Sequence, residues 1–564
     1  MANFHKKVLI LRNILSGNAE GEVSDDDFFG LFDSVTEKLF PVDLPRREQL
    51  RELIYTGKVS IGTSILTNID SEQTLNACTV LDTDLHQDFN KLKKEIEQSS
   101  IAGMGVGFSL NSTDDPAQTL YKLNNILQNV NSKCRRPVAG ITNLDASHPK
   151  IMDYIGAKRE ADFGSFKFNI SVSAGDAFMQ SIINKTASEK DSAIFSAIAE
   201  NMHYSGEPGL LFLERMQAQN PVPDIKFESF SPCAELPMGK GEACQFSYIN
   251  LSQMIIKDSN NKKVINFDSI VCASKVLTRA LDESVQISID NAVFDTKVLS
   301  SKRRIGIGVC GYADLLTELG VCYGSIEGNL ILQEILTLIN FSSKEESMLL
   351  AAEKGAFSAF SRSKYVTDRQ FIMRFAKQGS IAHESWQALN KDILKFGLRN
   401  SSTIALPPTG NSSLLVGASN SIEPHFSLIN PFTKAPIKTA VNLVQETMGW
   451  DEEKTTTMLK TYNDNDENSL ANNHFLAQRL RTATEITPQE HLSVVVAAQP
   501  CIDDAISKTI NMHNSATPED ISDILKQAYQ EGVKGITIFR AGCLSERKTF
   551  KKGGVVEGNS RLHE

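Results

Sequence analysis

Apolar and polar positions follow two periods along this chain, and the change from one to the other is clearest near its end. Thr517-Pro518-Glu519-Asp520 has the form of a helix start, with threonine as N-cap, proline at the first helical position and acid in the first turn. Ile521, Ile524, Leu525 and Ala528 then form one apolar stripe, and Gly532 stops the helix. Ile536-Thr537-Ile538-Phe539 follows as a short strand. From about residue 59 onward, apolar stretches alternate with amphipathic helices, which predicts an α/β architecture. Ahead of it, residues 1–58 read as a helical lead-in, acidic around Ser24-Asp25-Asp26-Asp27 and closed by the Pro41 to Pro45 region. Ser402-Thr403-Ile404-Ala405-Leu406 predicts a strand, and residues 407–413 a turn into the segment beginning at Leu414. The last dozen residues carry Gly553-Gly554 and few apolar side chains, which predicts a mobile tail over 546–564. The predicted division is therefore 1–58, 59–545 and 546–564.

Composition narrows the class. At 564 residues the chain exceeds the size at which one core stops growing, a large α/β barrel being the main exception. A net charge of −10 argues against binding polymeric nucleic acid, which needs a basic face, but leaves room for a local site for a mononucleotide. No segment approaches the roughly 18 uncharged apolar residues of a membrane span. Arg12 interrupts the first apolar run too early for a signal peptide. Nine scattered cysteines then predict a reducing, cytoplasmic setting with free thiols. No Cys-x-x-Cys and no histidine cluster predicts a structural zinc site.

The candidate chemistry lies in Ser231-Pro232-Cys233-Ala234-Glu235-Leu236, where a cysteine stands two residues from a carboxylate. Pro232 removes an amide donor and stiffens the chain, so a tight loop is predicted there. A second cysteine, Cys244, follows 11 positions on (244 − 233) and precedes the alternating stretch Phe246-Ser247-Tyr248-Ile249-Asn250-Leu251, a strand pattern. By itself Cys233 reads as a small buried hydrophobe.

Distant stretches change that reading. In order, they are Asn76-Ala77-Cys78-Thr79-Val80-Leu81-Asp82, Gly103-Met104-Gly105-Val106-Gly107-Phe108, Leu144-Asp145-Ala146-Ser147-His148-Pro149, Gly206-Glu207-Pro208-Gly209, Gly306-Ile307-Gly308-Val309-Cys310-Gly311 and Ile422-Glu423-Pro424. Together with the Cys233 loop, this series resembles the ribonucleotide reductases. The resemblance implies a ten-stranded α/β barrel with a central finger loop and a small helical N-terminal region. It implies catalytic roles for Cys233 as the thiyl position, Glu235 as the acid/base and Ser231 at the substrate. It also implies a redox pair, Cys78 and Cys244, 166 positions apart (244 − 78). Pro407-Pro408-Thr409-Gly410-Asn411-Ser412-Ser413 resembles the family's phosphate loop, with Ala77 and Gly107 joining the phosphate site. Asp145 and Arg159 fall in the region where the family binds its specificity effector, although capping explains Asp145 nearly as well.

Gln499-Pro500-Cys501-Ile502-Asp503-Asp504-Ala505-Ile506-Ser507-Lys508-Thr509-Ile510-Asn511 resembles the adenosylcobalamin-dependent class. The tyrosine relay of reductases with a separate radical subunit has phenylalanine here, Phe539, which has no phenolic proton to lose. The implied partners are a ribonucleoside di- or triphosphate, a nucleotide effector and an external, thioredoxin-like dithiol, in a homodimer without nucleic acid polymer or membrane. The chain departs from the family at Ser231, where asparagine is usual, and at Phe108-Ser109-Leu110-Asn111. It has no tail cysteine pair, Cys543 being the last cysteine, and its N-terminus has no room for the family's ATP-binding activity switch. Three other readings stay open: a related radical enzyme acting on a modified nucleotide, a non-catalytic nucleotide-binding relative, and a cysteine hydrolase using Cys233. His148 and His425 are read as structural, and Cys134, Cys272, Cys310, Cys322 and Cys501 as core thiols.

Overall fold

The computed structural model describes residues 25–81, 89–132, 134, 137–159, 166–292, 295–430, 434–461 and 473–543. The tail predicted over 546–564, the first 24 residues and Asp82 lie outside the described residues.

Fifteen strands are placed among them. The first six are β1 (Val59–Ile61), β2 (Cys78–Val80), β3 (Gly105–Ser109), β4 (Gly140–Asp145), β5 (Phe168–Ser173) and β6 (Gly209–Leu211). Then come β7 (Ser229–Phe230), β8 (Pro237–Met238), β9 (Ala243–Cys244), β10 (Phe246–Asn250) and the outlying hairpin β11 (Ile255–Lys257) and β12 (Lys263–Ile265). Last are β13 (Gly306–Cys310), β14 (Thr509–Met512) and β15 (Gly535–Arg540). Eight of them form one sheet in the order β14-β15-β6-β5-β4-β3-β2-β9, and β1-β10-β13 form a second. β2 through β6 pair in parallel, which requires helical crossovers and buries both faces. Accordingly β4 and β5 are buried along nearly their whole length.

Two isolated parallel bridges, Ile307 with Ile404 and Leu406 with Ile506, run from β13 toward β14. The expected α/β class is found, whereas closure into a ten-stranded barrel is not seen among the described residues. Residues 402–406, predicted as a strand, make only those two bridges, one to each side. The amides of Thr403 and Ile404 donate instead to the Asp503 carboxylate, at 2.8 and 3.2 Å, and Pro407-Pro408 then lack donors altogether. The turn expected up to Ser413 also ends early. A helix spans Gly410–Val416, with Thr409 at its N-cap position.

Elsewhere local sequence and structure agree. The helix Pro518–Gln530 begins with Thr517 and Asp520 bonding reciprocally as a capping box, and β15 follows. In the N-terminal region, helices Asp25–Leu39 and Leu44–Tyr55 are present, but Pro45 opens the second rather than closing the region, with Asp43 as N-cap. Cys310 and Cys501 are core thiols as expected, and Cys134 and Cys322 are half-buried. Cys272 is exposed, against expectation, because the buried stripe of helix Phe267–Asp290 runs through Ile270, Ala273, Val276 and Leu277 and leaves position 272 on the solvent side. Among the described residues no helix is long and apolar enough to cross a membrane.

The feature that positions the site is a finger. β7 and β8 form a two-pair antiparallel hairpin, Ser229 opposite Met238 and Phe230 opposite Pro237, with 231–236 as its tip. It lies along β3 and β4, which come so close that side chains are excluded at two points. A Cβ on Gly107 would stand 2.1 Å from the Phe230 carbonyl oxygen, and one on Gly105 2.5 Å from the Pro232 ring. Asparagines fasten the finger from the sheet. Asn143 accepts from Ser229 Oγ at 2.8 Å and donates to the Glu228 carbonyl at 3.2 Å, while Asn169 donates to the Pro232 carbonyl at 2.8 Å.

Candidate active site

The finger tip folds back on itself. The Ser231 amide donates to the Leu236 carbonyl at 3.0 Å and the Ala234 amide to the Ser231 carbonyl at 2.8 Å. Between Cys233 and Glu235, Ala234 adopts φ = 63°, a left-handed conformation that non-glycine residues seldom take. That reversal puts the cysteine and the glutamate on one side of the tip, and both line the same cleft. Cys233 is half-buried. Glu235 is 3% exposed, and its Oε2 has no hydrogen-bond partner in the protein. Burial pushes its carboxyl up to about 7, against the bonds from its own amide and Ser231 and with the Asp504 charge adding to the rise.

Cys78 on β2 and Cys244 on β9 are directly opposite each other in an antiparallel pair. Residues so placed have α-carbons about 4.5–5.5 Å apart, inside the range a disulfide spans. Both are free thiols here. Burial raises the Cys244 thiol well above its usual range, and the hydrogen bond with Cys78 and the nearby Glu235 charge push the same way. The Arg304 guanidinium opposes that rise.

The cleft is partly open to solvent. It is lined by Ala77, Cys78, Pro232, Cys233 and Glu235, and also by Gly62, Thr63, Ser64, Thr409, Gly410 and Asn411, the helices that follow these last two stretches meeting through the hydroxyls of Thr63 and Ser412. Phe246 and Tyr248, two residues apart on β10, also line it. Each ring packs where β13 has a glycine: a Cβ on Gly306 would meet the Phe246 ring at 2.4 Å, and one on Gly308 the Tyr248 ring at 2.9 Å. Asn420 holds Thr409, its Oδ1 accepting from the Thr409 amide at 2.6 Å and from Thr409 Oγ1 at 2.8 Å.

Several residues singled out from the sequence do not border the cleft. Ser231 is wholly buried behind Glu235, its Oγ accepting from the Leu236 amide at 3.1 Å and bonding the Glu235 carboxyl. Ser412 and Ser413 are buried in the first turns of their helix, Ser412 Oγ donating to the Ile61 carbonyl at 3.2 Å and Ser413 Oγ to the Gly410 carbonyl at 2.9 Å. Gly107 faces the finger strand. Asp145, at the end of β4, accepts from the Ser147 amide and hydroxyl at 2.8 and 2.6 Å, the local cap weighed above. Arg159 is exposed, its guanidinium 5.5 Å from the Tyr204 ring centre.

The sequence reading missed Gly62, Thr63 and Ser64. The signal was present, because strand β1 is followed by glycine and two hydroxyl residues opening the helix Thr63–Asn68, the same composition as at 409–413. It also missed a buried layer of charge beneath the thiols. Arg304 pairs with Glu242 at 3.1 Å and with Asp504 at 3.0 Å, Lys302 with Glu242 at 2.8 Å, and Lys344 with Asp503 at 2.8 Å, all buried. Paired charges satisfy one another there, which is what makes their burial tolerable.

The sequence matches the family description "Ribonucleotide reductase, barrel domain" over residues 77–190 and 180–539. It is 29% identical over 433 residues to the vitamin B12-dependent ribonucleoside-diphosphate reductase of Mycobacterium tuberculosis (strain ATCC 25618 / H37Rv), covering 72% of this chain and 56% of that protein. To the protein of the same description from Thermoplasma acidophilum it is 30% identical over 427 residues, covering 72% and 51%. The chain thus spans about half the length of the curated relatives it matches. Among solved structures, the Actinobacillus ureae class Id ribonucleotide reductase alpha subunit superposes with a TM-score of 0.75 at 17% identity, covering 95% of this chain and 97% of that one. At that identity the likeness is one of fold.

Proposed function

Because this chain belongs to the ribonucleotide reductase family, we propose that it reduces ribonucleotides to 2′-deoxyribonucleotides by thiyl-radical chemistry. The observation that carries the reading is the meeting of Cys78, Cys233 and Glu235 on one cleft, with Cys244 paired directly to Cys78. Cys233, as thiyl, takes the hydrogen from the ribose 3′ carbon. Glu235 accepts the 3′-hydroxyl proton while the 2′-hydroxyl leaves as water, a role that suits a carboxyl raised toward neutrality. The Cys78 and Cys244 thiols supply two electrons and two hydrogens and close a disulfide. One ribonucleotide and two thiols become one deoxyribonucleotide, one disulfide and one water, and the hydrogen held at Cys233 returns to the 3′ carbon.

Thr63, Ser64, Thr409, Gly410 and Asn411, which line the same cleft as the thiols, are assigned to the substrate phosphates. Asp145 and Arg159 are kept as candidates for an effector nucleotide. Adenosylcobalamin is the radical source we assign, since its cobalt–carbon bond supplies a radical on homolysis. A half-buried Cys233 lining a cleft that is partly open to solvent is compatible with such a group, which would supply the radical to that thiol. Residues 59–545 form the reductase unit in this reading, completed as a ring of ten strands by the 402–406 and 506 segments. Homodimerisation and an external dithiol complete the proposal.

The test is an anaerobic assay with adenosylcobalamin, a dithiol and each ribonucleotide in turn. Deoxynucleotide formation that is lost in Cys233→Ala supports the reading. Turnover without cobalamin contradicts the assigned radical source, and no deoxynucleotide from any ribonucleotide contradicts the reaction.

A further inference from the structure

Glu235 shares its surroundings with a second buried carboxyl. The Ala505 amide donates to the Glu235 backbone carbonyl at 2.9 Å, which docks the segment 503–505 against the finger tip. Asp504, next in the chain, is 3% exposed. Its Oδ1 accepts from Arg304 Nη2 at 3.0 Å, and its Oδ2 is buried without a partner, as is Glu235 Oε2. Two buried carboxyls, each with one oxygen unsatisfied, therefore stand on segments bonded to each other.

The other charges facing this pair come from four directions. From the approach to β13, Arg304 donates to the Pro237 carbonyl at 2.6 Å, and Lys302 lies behind it on Glu242. From β9 and β2 come the Cys244 and Cys78 thiols. Ahead of β15, Lys534 Nζ donates to the backbone carbonyls of Asp503 and Asp504, both at 2.7 Å. Lys344 and Arg374 face Asp503, at 2.8 and 3.9 Å. Arg304 is thus the one cation in direct contact with Asp504's carboxylate among the described residues.

We propose that Asp504 is a positioning residue for the reaction: its negative charge, held on Arg304 beside the finger tip, keeps Glu235 basic enough to take the substrate's 3′-hydroxyl proton. This rests on the reading of Glu235 as the base. Among Glu235's charged neighbours Asp504 is the one that raises its proton affinity, secondary to burial itself. Burial also lifts Asp504 to about 6, so the two carboxyls ionise over overlapping ranges as an interacting pair. Neutralising Asp504 removes the like charge, which favours the Glu235 carboxylate. A carboxylate formed more easily is a weaker base, so maximal turnover falls while its acid limb moves to lower pH.

The test reads Glu235 directly, without turnover. The infrared band of its protonated carboxyl, identified by its loss in Glu235→Gln, is followed against pH in the resting protein. In the unsubstituted protein the band is expected to vanish over a wider span than a single-site curve, because Asp504 ionises across it. In Asp504→Asn the midpoint is expected to move down by roughly 0.5–1 pH unit, the order of one like charge in a partly balanced site. In Asp504→Glu it is expected to return. A single-site curve in the unsubstituted protein, or a midpoint unmoved in Asp504→Asn, overturns the proposal. If the band moves as expected while the purified protein makes no deoxynucleotide, the tuning stands and the reductase reading falls. If deoxynucleotide forms and the band does not move, the reverse holds.

Discussion

Two parts of the cleft are built by opposite means. The sulfur part collects residues 78, 233, 235 and 244 through sheet pairing and a finger laid across β3, and it rests on buried ion pairs. The part proposed to take the phosphates is made twice over from short local stretches, Gly62-Thr63-Ser64 and Thr409-Gly410-Asn411, each opening a helix. One part depends on long-range register, and a one-residue slip of β9 would turn Cys244 away from Cys78. The other depends on local backbone shape and offers several interchangeable donors. Chemistry at the first should therefore be all-or-none, and binding at the second graded.

Substitutions can break or sharpen that contrast. The largest effect is expected from Cys233→Ala, which should abolish turnover without lowering the melting temperature by more than a degree or so, because a half-buried thiol tip carries little of the core. Next, Glu235→Gln should reduce kcat by roughly 10²–10⁴-fold with little change in KM, measured by steady-state kinetics. The same variant sharpens the contrast through stability. Glu235's carboxyl is raised to about 7 in the fold, so its protonated form stabilises at low pH, and that contribution is lost as pH rises through about 7. At pH 8 Glu235→Gln should therefore be the more stable protein, by on the order of 3 kcal/mol in denaturant titrations, and at pH 4 the two should be nearly equal. In activity the sign is reversed, since the base works only when ionised and turnover should fall below about pH 7.

Beneath the thiols, Arg304→Met leaves Glu242 and Asp504 without that cation and should cost about 3–5 kcal/mol, read as a lowered denaturation midpoint. The smallest effect belongs to the part proposed for the phosphates. Thr409→Val, which removes the hydroxyl that bonds Asn420 and the Ser421 amide, should raise KM about 5- to 10-fold and leave kcat within a factor of about two, as expected when a loop-shaping contact of about 1 kcal/mol is lost. A kcat collapse in Thr409→Val, or a merely graded loss in Cys233→Ala, would erase the distinction between the two parts.

How much of this could be read from the chain follows the same division. The Cys233 loop, the strand after Cys244 and the capped helix before β15 are local patterns, and each stands where the sequence placed it. The facing of Cys78 and Cys244 came only from resemblance, because register across 166 positions (244 − 78) leaves no local trace. Gly107 shows the limit of a motif: its glycine makes room for the finger, a need created by β7 and invisible within β3. Ser412 and Ser413 follow the helix start at Gly410, and their hydroxyls bond the Ile61 and Gly410 carbonyls, a placement that the motif alone does not show. The ion pairs of Arg304 and Asp504 join residues 200 positions apart, so neither advertises the other.

In the proposed reaction Cys78 and Cys244 deliver the reducing electrons to a substrate held at Cys233. That step is tested most directly by a single turnover with adenosylcobalamin and ribonucleotide but no added dithiol, followed by alkylation and mass mapping of every cysteine. The account predicts one equivalent of deoxynucleotide and a matching disulfide between Cys78 and Cys244, with the other seven cysteines alkylated. Deoxynucleotide formed while both of those thiols remain free, or a disulfide joining any other pair, would contradict it.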